Sequence, residues 1–236
     1  MREKTVHSEI LIHWILKNLV SETITKGAVD KYIERLRDFY ANGIEFRIPE
    51  KADIVIGVGH KMKIPQRLII CFTELKLSEV DVHTQQYGKL GIGFHKNFLM
   101  ACGANPVFYV QSKEQGIVNT NLKIIEELKD FLGDEPKNMR AIKGLEVLQS
   151  YIKPMEDENG YHYNEMEWRI VYAKYNDTDL PHCFKEKRLI FSPSEVSLLV
   201  FPNEDVRKSA LVDSELKKKF EEHMPMMVNI DTCASF

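Results

Sequence analysis

The stretch "YGKLGIGF", residues 87–94, sets three glycines within six positions between a tyrosine and a phenylalanine, and its reading decides the fold. A phosphate-cradling P-loop needs GxxxxGK followed by Ser or Thr. Here Gly88, Gly91 and Gly93 lead into His95 and Lys96, so both the spacing and the terminal pair are missing. "GVGHKM" from Gly57 has the first two glycines of a dinucleotide fingerprint, but Met62 stands at the third position and no strongly helical run follows. What remains is a helix stop at Gly88 and then a strand over residues 90–94. Strand side chains alternate, so Gly91 and Gly93 point to one side and leave it bare at two successive positions. Such a face admits either a closely packed element or a flat ligand lying on exposed backbone, with Tyr87 or Phe94 supplying a ring beside it.

Upstream of this strand, "SEILIHWIL" is a short apolar run that fits a buried strand or the front of a helix, and "AVDKYIERLRDFYANG" reads as a helix stopped at Asn42-Gly43. "ADIVIGVGHKMKIPQRLIICFTEL" reads as two strands, and "SEVD" has capping-box spacing that opens a helix running to Tyr87. Downstream, "HKNFLMACG" is a helix closed by Gly103 and "NPVFYVQ" a strand; residues 119–153 carry two helical patterns, with Pro136 at a helix start. "PMEDENGYHYN" belongs to a loop or hairpin tip. Strands "EMEWRIVYA", "KRLIFS" and "VSLLVFP" follow, then a charged helix over 203–223 and a last strand candidate, "MVNIDT". Regular βαβ alternation is missing, and no Gly/Ser- or Pro-rich linker divides the chain. The expectation is one mixed α+β domain over residues 1–236, with a central, mostly antiparallel sheet flanked by helices and a helical insert at 115–155.

A chain of 236 residues with 44% hydrophobic content can bury a substantial core. Its longest apolar runs fall far short of the roughly 20 residues that cross a bilayer, and "MREKTVHSEI" has no apolar leader, so the expected location is the cytoplasm. Cys71, Cys102, Cys183 and Cys233 lie far apart with no CxxC pair, which reads as reduced thiols, and Cys71 in "LIICF" reads as a core residue. With a net charge of −3 and basic residues spread along the chain, charge does not point to nucleic acid as a partner.

In "NEMEWRIVYA", Glu165, Glu167 and Arg169 alternate with Met166, Trp168 and Ile170, so the charges share one face of a strand. At the surface such a face is a solvated ion-pair ladder. Lining a cleft, the two glutamates would disfavour each other's charge while Arg169 holds one ionised, an arrangement suited to catalysis. His13, inside "LIHWI", is either a hydrogen-bonded core histidine or a functional one. His83 and His95 bracket the glycines, but with no HxxxH or HExxH pair no metal centre is expected from spacing. Asp53 followed by "ELK", Glu74 to Lys76, mimics the carboxylates and lysine of magnesium-dependent nucleases, although a surface turn is the plainer role for that segment.

Taken together, "CFTELKLSEV", "YGKLGIGFHKNFL", "GANPVFYV", "YNEMEWRIV" and "LIFSPSEVSLLVFP" resemble the AbiGi family in order and spacing over residues 68–202. That family is described as the antitoxin of a bacterial abortive phage-infection system. It has an early strand histidine, matched here by His13, but this chain carries a longer segment over residues 17–66. Lys76 stands where the family has a proline, so "ELK" is not a family metal site. The resemblance implies a phage-defence component whose partner is a cognate nucleotidyltransferase-like toxin encoded nearby, with no cofactor required.

A more distant similarity concerns ADP-ribosyltransferases. An early strand His, a Tyr beside a Gly-rich strand and a late strand Glu occur here in the order of that fold's His-Tyr-Glu set. The analogy implies a strongly bent sheet and NAD as cofactor. His13 would bond the adenosine-side ribose, Tyr87 would stack on nicotinamide, and Glu167 would stabilise the oxocarbenium-like transition state. Glu165 would activate an acceptor, Arg169 would flank the site, and Gly91, Gly93 and Phe94 would admit the nicotinamide ring.

Overall fold

The computed structural model describes residues 8–19, 25–49, 53–55, 61–63, 67–74, 80–110, 117–133, 135–157, 160–161, 166–173 and 181–233. In chain order the elements begin with β1 (Ile10–Ile15), α1 (Lys26–Asn42), β2 (Ile44–Glu45), β3 (Asp53–Val55), β4 (Lys61–Lys63) and β5 (Ile69–Thr73). Then come α2 (Val80–Tyr87), β6 (Leu90–His95), α3 (Lys96–Ala101), β7 (Asn105–Pro106), β8 (Phe108–Val110), α4 (Ile117–Leu132) and α5 (Met139–Gln149). Next are β9 (Ile152–Pro154), β10 (Glu156–Asp157), β11 (Gly160–Tyr161), β12 (Glu167–Val171), β13 (Phe184–Lys185) and β14 (Arg188–Leu189). Last are β15 (Val196–Phe201), α6 (Glu204–Val212), α7 (Ser214–Glu222), β16 (Met226–Asn229) and α8 (Ile230–Cys233). The class is α+β, as expected, and the chain divides into two compact units. Residues 1–45, 71–102 and 183–236 make the first; residues 46–70 and 103–182 make the second.

In the first unit the strands run in the order β16, β15, β6, β1 and the end of β5. β15 and β16 are parallel; the pairs β15–β6, β6–β1 and β1–β5 are antiparallel. The glycine strand therefore sits inside the sheet, and its register explains its sequence. Trp14 lies opposite Gly91 and Ile12 opposite Gly93 on β1, while Val200 and Leu198 face the same two glycines from β15. Large side chains on both neighbours fill the room that two missing side chains leave, which is cross-strand packing by size complementarity. This face carries a core of Ile12, Trp14, Leu198 and Val200 closed by Val80 of α2 and by Ile230 and Cys233 of α8. On the opposite face Phe94 meets Phe39 of α1 at 5.9 Å and Phe191 at 5.0 Å between ring centroids.

Helix ends follow local chemistry. Thr25 caps α1 by accepting from the Ala28 N–H at 3.3 Å. Gly88 ends α2 at φ +120°, where a Cβ would lie 1.9 Å from the Ile15 carbonyl oxygen, so only glycine fits. The charged helix expected over 203–223 is two helices, because Asp213 is extended and its carboxylate accepts from the Glu215 and Leu216 N–H groups as the cap of α7. The same carboxylate binds Arg37 of α1. Cys71 departs from expectation: it is exposed, on the side of β5 away from the buried Phe72.

In the second unit β8 and β9 pair in parallel, β12 pairs antiparallel with β7, and β3–β4 and β10–β11 are hairpins. The single strand expected from "NPVFYVQ" is split into β7 and β8 around the buried Val107. Its core gathers Val107, Val110, Ile152, Ile170 and Val171, with Phe46 against Tyr172 at 5.2 Å. α4 and α5 are joined by polar contacts: fully buried Gln149 donates to Glu126, and Lys129 donates to Gln149 at 3.3 Å.

Candidate functional site

The most polar buried cluster among the described residues lies in the second unit, around Glu167. Met166 has φ +42°, so the chain turns before β12 and the strand begins at Glu167. From there Glu167 and Arg169 point inward, 6% and 9% exposed. The charged face of this strand is thus the buried one, against the reading of a solvated ladder. Glu167 accepts from Arg169 Nε at 2.6 Å and from Lys153 Nζ of β9 at 2.8 Å. Its backbone N–H donates to the Tyr109 hydroxyl at 2.8 Å. Arg169 also donates through Nη1 to the Ser150 carbonyl at 2.6 Å, at the C-terminal end of α5. A guanidinium there supplies hydrogen bonds to the last helical carbonyls and complements the helix dipole. One carboxylate, two cations and a helix end are thereby tied together, which is how buried charge is tolerated. Lys153 and the α5 end were not legible in sequence, because their proximity to Glu167 is made by the β8–β9 pairing. Glu165 lies outside the described residues.

The remaining NAD-site candidates lie in the first unit. His13 is half-buried and donates from Nδ1 to the Cys71 carbonyl at 2.8 Å, with its ring 5.7 Å from Phe72. Tyr87 stacks on His83 at 5.7 Å and packs against the Trp14 core. Gly91 and Gly93 do not offer an open platform. A Cβ on Gly91 would meet Trp14 at 2.7 Å, and one on Gly93 would meet Ile10 at 2.7 Å and Leu198 at 2.8 Å. Phe94 is fully buried among aromatic rings. The nicotinamide role read for Gly91, Gly93 and Phe94 is therefore corrected: neighbouring side chains already occupy the space a ring would take.

Of the nuclease-like set, the structure describes the Glu74 side chain. Glu74 is 4% exposed and bound to Lys96 Nζ at 2.7 Å. Lys76 and the Asp53 side chain lie outside what is described. Among the described residues no group of three or more His, Cys, Asp and Glu side chains is placed to hold a metal ion. Beside Lys96, a depression is lined by Glu9, His95, Asn97, Phe98 and Glu195. Among the described residues no helix is long and apolar enough to cross a membrane.

A family model described as "Putative abortive phage resistance protein AbiGi, antitoxin" matches residues 60–180, just over half of the 236 residues. The chain belongs to the AbiGi family. The match encloses the glycine strand, α4, α5 and the Glu167 cluster, and leaves His13 outside. What AbiGi membership shares is thus mostly the second unit with the α2–β6–α3 segment. No curated protein and no solved structure matches the chain.

Within the matched residues, α4 carries an exposed apolar face. On α4, Ile124, Leu128 and Phe131 recur at i, i+4 and i+7 and share one face, and they are 52%, 43% and 85% exposed. The periodicity of "IIEELKDFLG" was readable, but a sequence pattern reads such a stripe as buried.

Proposed function

We propose that this protein is the antitoxin component of an abortive-infection system and acts by binding its cognate toxin as a folded protein. The observation that carries this reading is the AbiGi match, whose description names an antitoxin. The surface that supports it is the exposed Ile124, Leu128 and Phe131 stripe, which lies wholly within the matched residues. A contiguous apolar stripe left in water is the usual mark of a protein-binding face. Exposed aromatic residues such as Phe131 are the typical anchors of such interfaces.

The test is co-expression with the toxin encoded beside it, scored by co-purification and by rescue of growth. Wild type is expected to co-purify and to rescue. Phe131→Asp combined with Leu128→Asp is expected to lose both while keeping the wild-type unfolding temperature, because neither side chain is in a core. A double variant that still binds and rescues would move the interface elsewhere. A wild type that neither binds nor rescues would end the antitoxin reading.

A further inference from the structure

α4 carries two exposed rows of side chains, one residue apart in sequence. The first is the apolar stripe of Ile124, Leu128 and Phe131. The second is Lys123, Glu127 and Asp130, all exposed, which repeat the i, i+4 and i+7 spacing about 100° round the helix. The remaining charges of this stretch turn toward α5. Gln149 of α5 donates to Glu126, and Lys129 donates to Gln149 at 3.3 Å and to Glu126 at 3.5 Å, so both charges are engaged within the helix pair. Among the described residues neither the Glu127 nor the Asp130 carboxylate has a hydrogen-bond or ion-pair partner. Other helices neutralise such groups locally, as Arg35 does for Asp38 and Arg207 for Glu204. On the far side of the stripe lie Ile125 and Leu132, both half-buried, so the charge borders it on one side.

Resting on the antitoxin reading, we propose that the toxin surface seated on α4 is an apolar groove with a lysine or arginine on the one rim that faces Glu127 and Asp130. A partner that covers the stripe also draws the adjoining row out of water. A carboxylate desolvated without a partner is costly, and a cation facing it offsets that cost. Lys123 supplies one positive charge to that row against two negative ones, so the complement it calls for is basic. The mode is a helix laid in a groove, with anchors at i, i+4 and i+7 giving affinity. The one-sided acidic row gives specificity: it fixes which way round α4 lies and steers a basic rim toward it.

Binding of the purified full chain to the toxin encoded beside it is measured at about 0.1 M and about 1 M sodium chloride, between which the screening length falls from about 10 Å to about 3 Å. Wild type is expected to bind more weakly at the higher salt, with the loss in the association rate. Glu127→Lys combined with Asp130→Lys is expected to weaken binding at low salt by about tenfold or more, and Glu127→Gln with Asp130→Asn by less. Lys123→Glu is expected to bind as tightly as wild type or tighter. All keep the wild-type unfolding temperature, because the three side chains are exposed. A wild type that does not bind ends the antitoxin reading and this proposal with it. A complex lost in the Phe131→Asp and Leu128→Asp pair but indifferent to salt and to charge reversal would overturn this proposal and leave the antitoxin reading standing. Tighter binding on charge reversal would overturn it as well. So would a chain that is a dimer by itself and is dispersed by the same Phe131→Asp and Leu128→Asp pair, since a second copy would then cover the stripe.

Discussion

Trp14 in the first unit lies across Gly91 and is 8% exposed, whereas Phe131 in the second stands on α4 at 85%. The contrast extends to their surroundings. Among the described residues, the largest fully buried side chains, such as Tyr32, Phe72, Phe94 and Phe201, belong to the first unit except Ile70. The second unit buries Glu167, Arg169 and Gln149 while Phe108, Ile124, Leu128, Phe131 and Leu148 stay exposed. A sheet that fills its own gaps with side chains needs nothing further to be stable. The second unit places a charged cluster in its interior and an apolar helix face in water, and the family match falls mainly on that unit.

The contrast can be broken at three places. The largest effect is expected for Glu167→Ala, which takes its carboxylate from the buried Arg169 and the part-buried Lys153. Breaking a buried pair this way costs about 3–5 kcal/mol. The denaturant midpoint is expected to fall accordingly, and pairing the change with Lys153→Met should recover part of the loss. A shift near zero would mean that the cluster is solvated and that the second unit is not held by charge. NAD hydrolysis lost in Glu167→Gln would instead make the cluster catalytic.

Next is Gly93→Val. Its Cβ would fall 2.7 Å from Ile10 and 2.8 Å from Leu198. Overpacking of this kind costs about 1–3 kcal/mol. Leu198→Ala in the same chain is expected to restore part of the stability, since the two substitutions share one gap. A tolerated Gly93→Val, with an unchanged unfolding temperature, would show that the glycine face is open after all.

The smallest effect concerns pH. Glu204 is lowered to about 2, first by the Arg207 guanidinium and then by Asn229 of β16. Because its folded value is depressed, its contribution is present in full above about 4.5 and is lost as pH falls through about 2. The difference in unfolding temperature between wild type and Glu204→Gln is expected to shrink across that window. A difference that stays constant would remove Glu204 from the acid response of the first unit.

Much of the element order was legible because it depends on neighbours in sequence. Gly43, Gly88 and Gly103 stop their helices at positive φ, and the alternation around Gly91 and Gly93 makes a strand with one bare face. At "NEMEWRIVYA" alternation put Glu167 and Arg169 on one face, and β12 keeps them together there, both buried. A charge pattern does not say whether its face meets water or a distant lysine.

The sequence by itself determined the α+β class, the glycine strand and the family, since these rest on residue spacing and short-range backbone preference. Tertiary structure alone decided what covers each face. Trp14 and Leu198 close over the glycines, and Lys153 and the end of α5 reach Glu167. These pairings join residues remote along the chain. Their energy comes from excluded volume and paired charge, and neither is set by nearest neighbours in sequence.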